Sequence, residues 1–165
     1  MSDYEEMLYV FAAGMLPKTQ WLRDKKGSDR QSSAVRESLT QEIRKLCDAL
    51  VPDLLRPAVS RRAAAAASAL NVDLCLQTWK SQKQTFDVNR NVFHLEHVVP
   101  VSAIRDSVIA VEGVQEVVSI LHGLKVAWIL KDEDAELRRL GYRFRRTDPV
   151  AAYAEAGIEL ITCHP

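Results

Sequence analysis

From residue 33 to residue 54 apolar side chains recur every three or four residues, at Val35, Leu39, Ile43, Leu46, Leu50 and Leu54. That interval is the period of an α-helix, and a stripe of this length commits the segment to burying one face against other elements. Pro52 ends or kinks the helix near Leu50, and Pro57 opens the next element. Before the stripe, residues 3 to 22 read as a helix with Met7, Leu8, Phe11 and Met15 on one side, interrupted near Gly14 to Pro17, and residues 23 to 30 read as a polar loop. After it, residues 58 to 84 read as a third helix, rich in alanine from Ala63 to Ala67, where small side chains let a neighbour approach closely. Leu70, Leu74, Leu76 and Trp79 are its expected buried face, and Arg61, Arg62, Lys80 and Lys83 its exposed one. These stripes are core packing and carry no chemistry.

The pattern then changes. Residues 86 to 91 are turn-forming, with Asp87, Asn89 and Asn91, and they lead into Phe93-His94-Leu95-Glu96-His97-Val98-Val99-Pro100. Nowhere else do two imidazoles and a carboxylate fall within four residues. In an extended chain His94 and Glu96 share one face while Leu95 and His97 share the other. Glu96 and His97 therefore serve one site only if the chain bends or twists between them. Ionised Glu96 is a hard oxygen ligand suited to Mg²⁺ or Mn²⁺, and the imidazole of His97 titrates in the range of a general base. The plainer alternative keeps His94 and His97 as half-buried strand residues paired locally with Glu96.

Spacing removes the common zinc arrangements. His-Glu-x-x-His and its inverted order are absent. His94-Leu95-Glu96 matches the first half of a zinc deaminase motif, but Cys47, Cys75 and Cys163 supply no Pro-Cys-x-x-Cys second half. No two cysteines stand near enough in sequence for a Cys/His structural zinc site.

Beyond the octapeptide, residues 102 to 122 read as a helix with Ile104, Val108, Val111 and Leu121 along one side, closed by Gly123. Residues 125 to 130 read as a strand, and residues 132 to 140 as a short helix that opens with Asp132, Glu133 and Asp134 and closes with Arg138 and Arg139. That charge order suits the helix dipole by itself. Arg138, Arg139, Arg143, Arg145 and Arg146 form the densest basic run, with Tyr142 and Phe144 interleaved. Guanidinium groups grip phosphates in pairs of hydrogen bonds, and the same alternation fits a half-buried strand with a basic outer face. Residues 148 to 157 read as a closing helix and 158 to 161 as a last short strand.

Glu96-His97-Val98-Val99-Pro100 resembles the Asp/Glu-His-Ile/Val-x-Pro run that opens the hairpin of HNH, or ββα-metal, endonucleases, and the strand and acidic helix start at 125 to 134 resemble the rest of that finger. The resemblance covers roughly residues 90 to 142. It implies a metal held by Glu96 and Asp134, with Asp132 as the less favoured third residue, and His97 as the general base that activates water. His94 would orient His97 or bind phosphate, and Arg90, Arg138, Arg139, Arg143, Arg145 and Arg146 would contact the DNA backbone. The cofactor implied is Mg²⁺ or Mn²⁺, and the partner DNA. The sequence departs from the family in having aspartate at 134 where asparagine is usual, a longer interval from His97 to Asp134, and no stapling Cys-x-x-Cys pairs.

The chain of 165 residues, 47% hydrophobic and 27% charged, has an ordinary globular composition and a formal net charge of zero. Any nucleic-acid contact must therefore come from a local basic face. Three widely spaced cysteines, an N-terminus without a basic start and no long apolar run lead to a cytoplasmic expectation with no membrane partner, compatible with a homo-oligomer. The expected architecture is α+β, mostly α, in a single domain over 1-165: a helical layer over 1-85, then a ββα-metal core with an inserted helix over 86-165. The expected function is metal-dependent hydrolysis of DNA. The alternatives are a non-catalytic helical module that binds nucleic acid or protein, and an enzyme that turns His94, Glu96 and His97 on a small substrate.

Overall fold

The computed structural model describes residues 1–25 and 29–163. It is an α+β structure dominated by helices, and its contacts divide it otherwise than at residue 85. One compact unit comprises Met1–Ala49 and Val101–Leu124, the other Leu50–Pro100 and Lys125–Pro165.

The first unit is helical. Helix α1 (Asp3–Lys25) has Asp3, Glu5 and Glu6 in its first turn and Arg23 and Lys25 in its last, each charge facing the favourable end of the dipole. It buries Leu8, Ala12, Met15, Thr19 and Leu22. The expected interruption at Gly14 to Pro17 does not occur, and α1 runs straight through Pro17. A proline inside a helix costs about 3 kcal/mol, and the fully buried Met15 and Thr19 on either side hold the turn in place. Helix α2 (Arg30–Leu50) ends where Pro52 requires and buries Leu39, Ile43, Leu46 and Leu50, while Val35 is half-buried and Leu54, beyond the helix, is exposed. Of the expected loop at 23 to 30, residues 26 to 28 lie outside the described residues, and the rest belongs mainly to the ends of these two helices. The single helix expected over 102 to 122 is two, α5 (Val101–Ala110) and α6 (Val114–His122). The break has a source the local pattern does not contain. Arg23 donates from Nη1 to the carbonyls of Ile109 (2.9 Å) and Val111 (2.5 Å), satisfying the end of α5, and the Gly113 N–H is taken by Glu116 at 2.9 Å to start α6.

The second unit is a four-stranded sheet with helices around it. Its strands are β1 (Ala58–Ser60), β2 (Phe93–His97), β3 (Val126–Leu130) and β4 (Leu160–Thr162), in the order β2-β3-β1-β4. β2 and β3 pair antiparallel across the α5–α6 excursion as expected, from Phe93 opposite Leu130 to His97 opposite Val126. β1 is parallel to β3 and antiparallel to β4. The third expected helix, 58 to 84, is therefore a correction. Its first three residues are strand, α3 covers only Arg61–Ala69, and a 3-10 turn (Leu74–Leu76), a short α4 (Trp79–Ser81) and a π turn (Gln82–Phe86) follow. A three-residue strand is too short to display a period of two, and only its partners on β3 and β4 reveal it. Leu74 is buried, but Leu70 and Leu76 are 51% and 54% exposed. Ala63 and Ala67 do give the close approach their size allows, packing with Val59, Leu74, Phe93 and Trp128.

Helix α7 (Lys131–Arg139) follows β3 directly, and α8 (Pro149–Glu155) precedes β4. The stretch between them is a turn, not the alternating strand that Tyr142 and Phe144 suggest: Gly141 takes φ +86°, and the Tyr142 N–H returns to the Leu137 carbonyl at 2.8 Å. Cys75 and Cys163 form a disulfide that ties the 3-10 turn to the end of β4, although 88 positions separate them in sequence. Spacing along the chain says nothing about such a pair, which the fold brings together. No helix among the described residues is long and apolar enough to cross a membrane.

Candidate metal centre

The site begins with the turn ahead of β2. Asp87 is buried and accepts the N–H groups of Asn91 (2.9 Å), Val92 (3.1 Å) and Phe93 (2.9 Å), and the amide of Gln82 (2.9 Å). Gln82 also donates to the Phe93 carbonyl at 2.8 Å. Burial pushes the Asp87 carboxyl upward, but these four donors outweigh it and hold it below the usual aspartate range. This anchor fixes where β2 starts, and so the parity of every residue in it.

Parity then decides the site. Phe93 and Leu95 go to the face that packs on Trp128 and Val59. His94 and Glu96 alternate to the opposite face, next to the Ala127, Ile129, Leu137 and Tyr153 cluster. On this face α7 supplies the third member. Glu133 reaches back to the Leu130 N–H at 2.8 Å and accepts Ser60 Oγ at 2.7 Å, which fixes the rotation of the first turn. One residue further on, Asp134 is buried beside β2.

His94 Nε2 lies 2.9 Å from Glu96 Oε2 and 4.0 Å from Asp134 Oδ1. One ligand atom from each of the three lies within 4.8 Å of the others. Two donors on one Mg²⁺-like ion, at about 2.1 Å each, stand at most about 4.2 Å apart, so the cluster needs a contraction of roughly half an ångström or a little more to close on one. An imidazole nitrogen with two carboxylates is a donor set that divalent first-row ions accept, and to that extent the residues fit a cation.

Basic groups surround the three. Arg146 lies inside the unit with its side chain 1% exposed. It donates from Nη2 to Glu96 Oε1 at 2.9 Å and from Nη1 to the carbonyls of His97 (3.1 Å) and Val98 (2.9 Å), and its guanidinium sits 5.2 Å from the Tyr153 ring centre. Arg138 chelates Asp134, Nη2 to Oδ2 at 2.5 Å and Nε to Oδ1 at 3.3 Å. Lys131 Nζ is 3.4 Å from His94 Nδ1. Burial raises the Glu96 carboxyl, but the hydrogen bonds from His94 and Arg146 and the Arg146 charge outweigh it, so it stays ionised well into acid. Burial and the Glu96 charge push the Tyr153 hydroxyl far above its usual range. The Trp79 and His94 rings stand nearly perpendicular with centroids 6.4 Å apart, and the Arg90 guanidinium stacks on Trp79 at 3.6 Å.

The predicted site residues thus separate. Glu96 and Asp134 come together, and Asp132 does not join them, since it pairs with Arg62 at 2.5 Å. His97 is a correction of placement: the ladder continues in register through His97 opposite Val126, so its ring alternates away from Glu96, and His94 provides the imidazole of the cluster. Arg146 is a second correction. It cannot grip a backbone phosphate from the interior, and its work is to hold Glu96. Arg90 is tied to Trp79, donating to its carbonyl at 3.1 Å, Arg139 is paired with Glu136, and Arg143 lies over Phe144. Arg145 is exposed. Sequence reasoning missed Asp87, Trp79 and Lys131. Two had a signal: Asp87 in the turn-forming run ahead of β2, and Lys131 as the residue that joins β3 to the acidic helix start.

No protein-family model matches the chain, and neither a curated protein nor a solved structure matches it.

Proposed function

We propose that the chain is a metal-dependent phosphodiesterase that acts on DNA, with His94, Glu96 and Asp134 as the donors to one divalent cation. The observation that carries this reading is the convergence of those three side chains where an antiparallel strand pair runs directly into a helix, the arrangement that the likeness to HNH endonucleases implies. A bound divalent ion would supply the acidity for its own water and a counter-charge for the phosphate. The chain's part is to hold and orient. Arg146 fixes Glu96 Oε1 and leaves Oε2 toward His94, Glu133 sets the phase of α7 beneath Asp134, and Lys131 and Arg138 stand beside the donors as cations for a phosphate oxygen. The family likeness gives water activation to His97, but the register favours His94 as the imidazole of the site.

The test is cleavage of plasmid DNA by the purified protein with Mg²⁺ or Mn²⁺, and its loss in chelator. His94→Ala should reduce the rate at least about 100-fold, while His97→Ala should leave most of it. Absence of both cleavage and metal binding would overturn the reading. A second reading has an observation of its own, since Arg146 and Arg138 already neutralise Glu96 and Asp134. On that reading the cluster is a structural ion-pair network in a module that binds nucleic acid or protein without cutting, and chelator has no effect.

A further inference from the structure

The donors of the metal centre are all engaged, and the groups that engage them differ in how firmly they are held. Arg146 is buried and bound to Glu96 and two main-chain carbonyls, so it is part of the frame. Arg138 is different: its side chain is 49% exposed, its hold on Asp134 is a one-turn contact along α7, and it sets its positive charge against both carboxylate oxygens, at 2.5 and 3.3 Å. Lys131 is half-buried and makes no ion pair among the described residues. An ammonium has only hydrogens to offer, so a neutral His94 that accepts it on Nδ1, 3.4 Å away, carries its own proton on Nε2, directed at Glu96 Oε2. Nε2 in that state has no lone pair for a metal. Both cations also repel an incoming divalent ion at short range. Each is a long side chain with part of its surface in solvent, and each is a group that binds phosphate.

We propose that Lys131 and Arg138 keep His94 and Asp134 closed to a cation until a phosphate group draws them off, so that the divalent ion and a phosphate ester enter the site as a coupled pair. The inference rests on the metal-site reading above. Once a phosphate oxygen takes the ammonium of Lys131, His94 can carry its proton on Nδ1 and present Nε2, and once Arg138 turns to the phosphate, Asp134 is released. By linkage, each ligand tightens the other by the same factor.

The experiment measures Mn²⁺ binding from the electron paramagnetic resonance signal of the free ion, with full-length protein, alone and with a thymidine dinucleotide or inorganic phosphate. Protein-free controls remove direct association of Mn²⁺ with the phosphates. The wild-type chain should bind Mn²⁺ at least about fivefold more tightly when a phosphate ligand is present. Lys131→Met and Arg138→Gln should each bind Mn²⁺ more tightly than wild type in the absence of phosphate and lose part of the enhancement. Enhancement by the dinucleotide alone assigns the ligand to a phosphodiester. Enhancement by inorganic phosphate alone supports the coupling and assigns it to a free or terminal phosphate. Mn²⁺ binding by wild type that neither phosphate changes would overturn the coupling while leaving the metal site standing, as would variants that bind the bare ion no better. No Mn²⁺ binding by any protein in any arm removes the site and the coupling together.

Discussion

In the helical unit the buried threonines are satisfied within a turn of their own helix: Thr19 Oγ1 donates to the Leu16 carbonyl at 2.9 Å and Thr40 Oγ1 to the Arg36 carbonyl at 3.0 Å. In the sheet unit buried polar groups reach across the fold. Ser60 meets Glu133 over a separation of 73 residues, and Arg146 meets Glu96 over 50. The first unit is held by area, with Leu8, Met15, Leu39, Ile43 and Leu46 fully buried. The second adds buried charge and a covalent tie. The difference teaches what a substitution does in each. Loss of a side chain leaves a hole in the helical unit, whereas in the sheet unit it leaves a charge without its partner.

Arg146→Ala tests this contrast hardest. It leaves ionised Glu96 inside the unit with its main counter-charge removed, and breaking such a pair from one side costs about 3–5 kcal/mol. Chemical denaturation should show a loss of this size, and Arg146→Lys should restore little of it, because an ammonium cannot span Glu96 and two carbonyls at once. A loss below about 1 kcal/mol would mean that Arg146 is dispensable and the contrast false.

Reduction of Cys75–Cys163 comes next. Closing a loop of this length stabilises a fold by about 4.6 kcal/mol in the chain-entropy account, so reduction should speed hydrogen exchange in β1, β4 and α3 and leave α1 and α2 unchanged. Thiol counting checks the pairing. Burial, with a smaller contribution from the Asp48 charge, pushes the Cys47 thiol up to about 12, so the native oxidised protein should show no reactive thiol. Denaturation should expose Cys47 alone, and reduction all three cysteines.

Within the helical unit, Ile43→Ala should cost about 3 kcal/mol through lost burial and the cavity left behind, with metal binding at His94 unaffected. Metal affinity that fell along with stability would show that the contrast is too sharply drawn.

The smallest expected effect is on pH. Asp87 and Glu96 titrate lower in the folded chain than in the unfolded one, so the unfolded chain binds more protons as the pH drops through the ordinary carboxylate range. Their contribution is complete above about pH 4.5 and disappears as the pH falls through their folded values. Hydrogen exchange followed from pH 6 downward should show β2 losing protection before α2. In the helical unit the lowered carboxyls, Glu5 and Asp29, are exposed and contribute little through screened contacts.

What could be read from the sequence is what repeats along one element. The stripe of α2, the close-packing alanines of α3, the β2 and β3 pair and the acidic start of α7 were all legible, because helix and strand periods are local properties and each residue reports the same neighbour relation as the last. The meeting of Glu96 with Asp134 was legible from the family likeness. Tertiary structure decided the rest. Which histidine faces Glu96 depends on strand parity, and an unbroken register through His97 gives the place to His94. A run of arginines looks the same whether its members face water or the interior, so the burial of Arg146 depends on a turn at Gly141 and on Tyr153 from another helix. Strand β1 exists because β3 and β4 present edges to it, and the same sheet sets Cys75 beside Cys163. Periodicity records contacts an element makes repeatedly, and a contact made once, between segments brought together by the fold, leaves no period behind.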